Sequence, residues 1–398
     1  MKKSTIAWGV VLAAVWGAYL PAQEAVRETV QVKTVHYEVI ADMGDGETLS
    51  REMENRFAVY DRLFRFDPSR AAFPLRVRSF RSRDAYDSYI SARLGGPRPG
   101  AVYLHYNQGE RRELVIHRGS ADEGRMFPYQ AFIQYLRAFV PNAPSWMREG
   151  FAIYFSTLAA SETGELKYEE NLNWLETVKG LGGGPDGAGG GPDRPPGPRE
   201  IMLADRDGTP ENFQSLAWSL VSFFLNSGTK DYFRAVTESF MVLSPAAGAK
   251  ENAEAVLGRI SLFGGMEDLE KDYRNYIASR KTFAELIDEG QKAYAGKDHT
   301  AAELAFLQAM DQKPGHYAPC YYLGLLAYEE GNYDRAESYY LAAADNGADG
   351  ALVAYALGIN AASAGRKKEA AGYLRKAAEV SPERYGDRVQ DLLRRLEQ

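Results

Sequence analysis

The sequence predicts an α+β domain followed by an all-α solenoid, and three observations carry that reading. Small residues recur with a 34-residue period from Gly290 onwards. Between Val30 and about Gly124, short alternating apolar runs are interleaved with runs of helical spacing. From Phe127 to Phe155, two apolar helical stretches follow one another across a short Pro-bounded turn. With 398 residues, 45% of them apolar, the chain can build more than one well-developed core.

The first residues read as a targeting segment. Lys2-Lys3 precedes an apolar run from Ile6 to about Leu20, and Pro21-Ala22 follows it with a small residue for cleavage. The run is short for a membrane span, so residues 1–22 are expected to be a signal peptide of an exported protein, periplasmic or in the cell envelope. The alternative is an uncleaved signal anchor, which would be the chain's one link to a membrane. No cysteine lies near position 20, which argues against a lipid anchor, and the single Cys320 has no partner for an internal disulfide. Net charge is −7 and basic runs stop at triplets such as Arg366-Lys367-Lys368, so nucleic acid is not an expected partner.

Residues 30–124 read as a small α/β part. Val35, Tyr37 and Val39 alternate as in a half-buried strand, and Leu49, Met53, Phe57, Tyr60 and Leu63 then recur at helical spacing. Leu75 to Phe80 reads as a strand and Asp84 to Leu94 as a helix. Ala101 to Asn107 and Arg112 to Arg118 read as a hairpin around Gln108-Gly109-Glu110. His105 and His117 lie on the two arms, but neither has a partner at metal-site spacing, so no metal is predicted there.

In FPYQAFIQYLRAFVPNAPSWMREGFAIYF, Pro128 is expected to open a helix on which Gln130 and Gln134 stand four residues apart on one face. A second helix starts near Pro144-Ser145-Trp146 and carries Glu149-Gly150. This stretch resembles the gluzincin-type metallopeptidases, most closely the peptidase MA-like domains of bacterial exported proteins, whose H-E-x-x-H helix is followed by P-x-W-x-x-E-G-x-A-x-Y/F. The resemblance implies a gluzincin-like fold, a small α/β part (30–124) with a helical part (125–280). It puts the zinc ligands at Gln130, Gln134 and Glu149 and the base that activates water at Ala131. Glutamine amides suit zinc poorly and alanine accepts no proton, so the site is read as degenerate: no catalytic residue, no metal, no cofactor. The resemblance also implies that the strand Leu114, Val115, Ile116 and His117 to Arg118 lines the cleft and pairs with an extended peptide, which needs no zinc.

Beyond Glu149 the pattern stays helical through Leu158 and again from Leu166 to Lys179. Residues 181–199, rich in Gly and Pro, cannot bury enough apolar surface to offset their ordering entropy and are expected to form a disordered loop. Phe213 to Leu220 resembles the helix that closes the peptidase-like domain. Helices at Tyr232–Val242, Ala253–Ile260 and Met266–Ser279 complete it.

The periodic region is Gly290, Gly324, Gly358; Ala302, Ala336, Ala370; Phe306, Tyr340, Leu374; and Ala309, Ala343, Ala377, each set spaced by 34. Pro314 and Pro382 close two of the units, with Ala348 at the matching place in the other. This pattern resembles the tetratricopeptide repeat. It implies three repeats, 283–316, 317–350 and 351–384, and a capping helix at 385–398, with Tyr321, Tyr322, Tyr328 and Tyr355 as candidates to line a groove for a protein or peptide partner.

The functional expectation is a non-catalytic, exported pseudo-peptidase that binds polypeptide through a zinc-less cleft and a repeat groove. The alternatives are an active hydrolase that uses other residues, Glu149 with His117 among them, and a pure repeat scaffold.

Overall fold

A five-stranded mixed sheet organises the first of two units, Met1–Ser279 and Arg280–Gln398, in a computed structural model that describes residues 29–160, 166–168, 170, 172–181, 195–204 and 210–397. The expected signal peptide therefore lies outside the described residues. So does most of the Gly/Pro-rich stretch, although its last residues, Pro198 and Arg199, open a helix. Among the described residues no helix is long and apolar enough to cross a membrane.

The strands are β1 (Thr29–Lys33), β2 (Tyr37–Asp42), β3 (Leu75–Phe80), β4 (Ala101–Leu104) and β5 (Glu113–His117), in spatial order β1-β2-β3-β5-β4. β2, β3 and β5 run parallel, and β1 and β4 flank them antiparallel. Helix α1 (Gly46–Phe64) connects β2 to β3, and α2 (Arg83–Leu94) connects β3 to β4. Two sequence expectations are corrected here. Val35 is not in a strand but 71% exposed in the turn between β1 and β2, and the strand before it is β1, where Val30 and Val32 alternate with polar residues. The first arm of the hairpin ends at Leu104 rather than Asn107, because the chain turns through a 3₁₀ segment at Gly109–Arg111.

The helical part of this unit starts with α3 (Glu123–Phe139) and α4 (Ser145–Ser156). α3 begins five residues before Pro128, which lies inside it and does not open it. The ring removes the one intrahelical bond its N–H would have made. After the short pair β6 (Leu158–Ala160) and β7 (Leu166–Tyr168) come α5 (Asn173–Gly180), α6 (Pro198–Leu203), α7 (Phe213–Asn226), α8 (Lys230–Ser239), α9 (Ala249–Ile260) and α10 (Met266–Ser279).

Aromatic side chains fill the core between the sheet and these helices. Tyr60 and Phe64 of α1 meet Phe132 of α3 and Phe151 of α4, with Tyr60–Phe132 at 5.2 Å and Phe64–Phe151 at 5.1 Å between ring centroids. Such edge-on and tilted pairs add to the burial of their large apolar area. A smaller cluster of Tyr86, Ile90, Leu104 and Val115 packs α2 on the sheet. α4 then lies directly on α7: a Cβ at Gly150 would come within 2.4 Å of the Ala217 carbonyl oxygen.

The second unit is made of helix pairs: α11 (Phe283–Ala295) with α12 (His299–Gln312), α13 (Tyr317–Glu329) with α14 (Tyr333–Asp345), and α15 (Gly350–Ser363) with α16 (Lys367–Val380), followed by α17 (Pro382–Glu397). The 34-residue signature has one steric cause. A Cβ at Gly290, Gly324 or Gly358 would strike Phe306, Tyr340 or Leu374 at 2.5, 2.6 or 2.7 Å, so each pair closes by seating a large side chain of its second helix against a bare spot on its first. A further periodicity appears only in the backbone. Lys297, Gly331 and Gly365, also 34 apart, all adopt the left-handed conformation just before the second helix of each pair. Asp298 and Asn332 cap α12 and α14 through their side chains, whereas Arg366 at the same place offers no acceptor to α16.

These contacts predict that Gly150→Ala and Gly324→Ala each destabilise their unit by about 1–3 kcal/mol through overpacking. Urea unfolding followed by circular dichroism measures this, with Gly109→Ala, where an added Cβ meets nothing within 4 Å, as the neutral control.

Candidate functional site

The site is built where α3, α4 and the β4 side of the sheet meet. α3 packs on the sheet and presents Gln130, Gln134 and Arg137 along one face, as spacings of four and three require. The two glutamines spend their amides on the strands. Gln130 Oε1 accepts the Tyr103 backbone N–H of β4 at 3.0 Å, and Gln134 Nε2 donates to the Arg76 carbonyl of β3 at 2.7 Å. Gln134 is 1% exposed and Ala131 is fully buried among apolar neighbours.

Glu149 has a different set of partners. Its carboxylate accepts from the Tyr129 hydroxyl, from Arg148 Nε at 3.1 Å and from Gln214 Nε2 of α7 at 3.4 Å. Burial, followed by the charge of Glu149, pushes the Tyr129 hydroxyl well above its ordinary range, so it stays a donor. The structure thus joins Glu149 to Tyr129 rather than to Gln130 or Gln134, and no hydrogen bond links those three positions. Among the described residues, no group of three or more His, Cys, Asp or Glu side chains could hold a metal ion. Glu149 opens into a cleft of ≈ 440 Å³ lined also by Ser145, Arg148, Trp174, Asn212, Phe213 and Gln214.

The expectation that Leu114, Val115, Ile116 and His117 form a peptide-pairing edge is corrected. β5 is an inner strand, bonded to β3 on one side and β4 on the other, and Leu114, Val115 and Ile116 are fully buried. Its ladder groups are already paired, so no peptide can add there. β4 is the edge strand on this side, and its outward Tyr103 N–H is taken by Gln130. The His117 ring lies against Tyr86 on the α2 side of the sheet, 5.8 Å between centroids, and among the described residues no hydrogen bond or ion pair joins it to Glu149.

Sequence reading missed a cluster of guanidiniums. Arg137 of α3 and Arg112, which precedes β5, both act electrostatically on Tyr103 of β4 and on His105 just beyond it, and Arg148 of α4 acts in turn on Arg137. Burial, and then the charges of Arg137 and Arg112, depress the His105 imidazole to about 4. The spacing of Gln134 and Arg137 is the one sequence signal that could have suggested it. The other members come from separate elements.

In the second unit the four candidate tyrosines are half-buried and engaged with their neighbours. Tyr322 stacks on Phe306 at 4.8 Å and accepts from Gln291 Nε2 at 2.7 Å. Tyr321 packs against Tyr340, the Tyr328 hydroxyl bonds Ser363 Oγ at 3.0 Å, and Tyr355 stacks on Tyr385 at 4.7 Å. Tyr321 packs within its own repeat, Tyr355 joins the last repeat to α17, and Tyr322 and Tyr328 join one repeat to its neighbour. Glu329 does the same from its end of α13, accepting from the Tyr294 hydroxyl at 2.5 Å and pairing with Lys297 at 3.1 Å.

No protein-family model matches the chain, and no curated protein matches it. Solved structures do. One is the first tetratricopeptide-repeat domain of Spaghetti (RPAP3) bound to the HSP90 peptide SRMEEVD, at 16% identity over 29% of this chain and 90% of that one, with a TM-score of 0.28. Another is YrrB, described as a tetratricopeptide-repeat protein with an unusual peptide-binding site, at 16% identity over 42% of this chain and 84% of that one, with a TM-score of 0.26. The helix pairs and their Gly notches decide the matter. The second unit is an array of helix pairs that repeat every 34 residues.

The depressed imidazole gives a prediction. Free His titrates near 6.5, whereas folded His105 holds no proton until about 4, so between these values the unfolded chain binds more protons and stability falls as pH drops. An NMR titration should show the His105 ring neutral through the usual imidazole range. Arg137→Gln, which removes one of the two repelling charges, should move the His105 midpoint upward.

Proposed function

We propose that this protein is an exported, non-catalytic polypeptide-binding protein: a gluzincin-like unit that has lost zinc chemistry, joined to a tetratricopeptide scaffold for protein or peptide partners. The observation that carries the reading is the use made of the four motif positions. Gln130 and Gln134 fasten α3 to β4 and β3, Ala131 is core, and Glu149 is held by a phenol, a guanidinium and an amide. A zinc enzyme needs neutral imidazoles around an open coordination position and a base beside it. Side chains engaged in this way supply neither, and a glutamate already bonded to three donors is a poor general base.

The cleft beside Glu149 remains suited to binding. It offers the faces of Trp174 and Phe213 together with the polar groups of Ser145, Asn212 and Gln214, the mixture of apolar walls and few polar points that fixes a peptide side chain. Recognition there runs through side chains, since strand addition is denied at β5 and blunted at β4. Stacked repeats provide a second, separate surface for a partner.

Metal analysis of the purified mature protein by mass spectrometry, together with hydrolysis of a general protein substrate, tests the proposal. The expected outcome is no stoichiometric zinc and no cleavage above buffer. Stoichiometric zinc that supports proteolysis, lost in Glu149→Gln, would overturn it.

A further inference from the structure

We propose that the free edge of β1 pairs with β1 of a second copy of this chain, antiparallel about a two-fold axis at Gln31, so that two five-stranded sheets join into one continuous sheet. The inference goes beyond the polypeptide-binding reading and does not rest on it. The sheet has two edges, and they are finished differently. At β4 the outward Tyr103 N–H is taken by Gln130. At β1 no backbone group on the outer side has a hydrogen-bond partner among the described residues, and the strand contains neither proline nor glycine to discourage one.

The register fixes which groups point outward. The Thr34 N–H donates to the Tyr37 carbonyl at 2.8 Å, which makes Thr34 and Tyr37 a hydrogen-bonded pair. Such pairs alternate along an antiparallel ladder, so Val32 is bonded to Val39 and Val30 to Ala41, while Thr29, Gln31 and Lys33 turn both their N–H and C=O groups away from β2. An antiparallel copy centred on Gln31 sets Gln31 opposite Gln31, Val30 opposite Val32 and Thr29 opposite Lys33. Each outward donor then meets an acceptor, and the one charge in the strand faces a hydroxyl instead of a like charge. Val30 and Val32 lie on the face covered by α1, where a Cβ at Gly46 would come within 2.8 Å of Val30 Cγ1 and 3.0 Å of Val32 Cγ2. Pairing places valine beside valine and extends that apolar layer. Two exposed apolar side chains flank the strand: Val35 beyond Lys33, and Met43 beyond Asp42, which is the partner of Thr29. The two-fold brings the Val35 end of each copy to the Met43 end of the other. Self-matching of Val30-Gln31-Val32 is what identifies a second copy as the occupant, since an isologous contact requires a segment to complement itself.

Sedimentation velocity of the full-length protein over a range of concentration should show a reversible monomer–dimer equilibrium, with a dissociation constant in roughly the micromolar range for so small an interface. Gln31→Pro removes an outward N–H and no bond to β2, so it should leave the protein folded by circular dichroism and monomeric. Gln31→Lys sets like charges opposite each other at the axis and should weaken the dimer by roughly fivefold, which covers failure of the proline variant to fold. Oxidation of Gln31→Cys should yield a covalent dimer, because the two Cα atoms of a bonded pair stand about 5.5 Å apart, whereas Lys33→Cys, roughly 14 Å from its own copy, should not cross-link. The native Cys320 is buried and does not compete. A monomer at every concentration, the result expected if this edge serves a strand of another protein, would overturn the inference. So would association unchanged by both Gln31→Pro and Gln31→Lys, or cross-linking through Lys33→Cys in place of Gln31→Cys. The metal and cleavage measurements bear on the non-catalytic reading alone, so the two can fail separately.

Discussion

Helix α4 can lie against α7 only because residue 150 has no side chain, and the arrangement of the first unit follows from that close approach. With the Ala217 carbonyl 2.4 Å from where a Cβ would stand, the two helices are fixed in depth, and the residue before the glycine is fixed in direction. Glu149 is thereby turned toward Tyr129 on α3 and Gln214 on α7, at the mouth of the cleft. Of the apolar residues on the same helix, Phe151 and Phe155 bind it to α1 and α3, while Trp146 packs against Phe224 of α7. Packing and polar geometry are set by one sequence pair, Glu149-Gly150.

The glutamines of α3 illustrate how polar side chains are accommodated near a core. A buried amide costs free energy unless it is bonded, and the sheet offers backbone groups at the right height. Gln130 and Gln134 therefore act as fasteners between a helix and two strands. Gln134 is satisfied on its donor side, while its Oε1 has no protein partner. By occupying the outward N–H of Tyr103, Gln130 also blunts an edge that would otherwise invite another strand.

The repeat array was legible in the sequence because its cause is local. Each glycine and the bulky residue it faces are sixteen positions apart in every unit, so the contact prints itself as a period. The mixed character of the first unit was legible in part, since α1 and β3 carry clear apolar spacing. The order of its strands was not, because β5 sits between β3 and β4 for reasons of long-range pairing that no local pattern records. The same holds for the candidate site. The frame of Gln130, Gln134 and Glu149 could be read from spacing, but the direction of each side chain depends on which backbone groups and phenols lie opposite. The two guanidiniums that act on His105 come from α3 and from the segment before β5, and only the structure brings them together.

The bare spots of the repeat array have a consequence for how such a chain can change. Gly290 is met by Phe306, Gly324 by Tyr340 and Gly358 by Leu374, always within a single block of the sequence. Each block carries both the notch and the group that fills it. Copying or deleting one whole block would leave every notch occupied, whereas a cut between a glycine and its filler would strand the glycine, so this unit is suited to lengthen or shorten in whole steps.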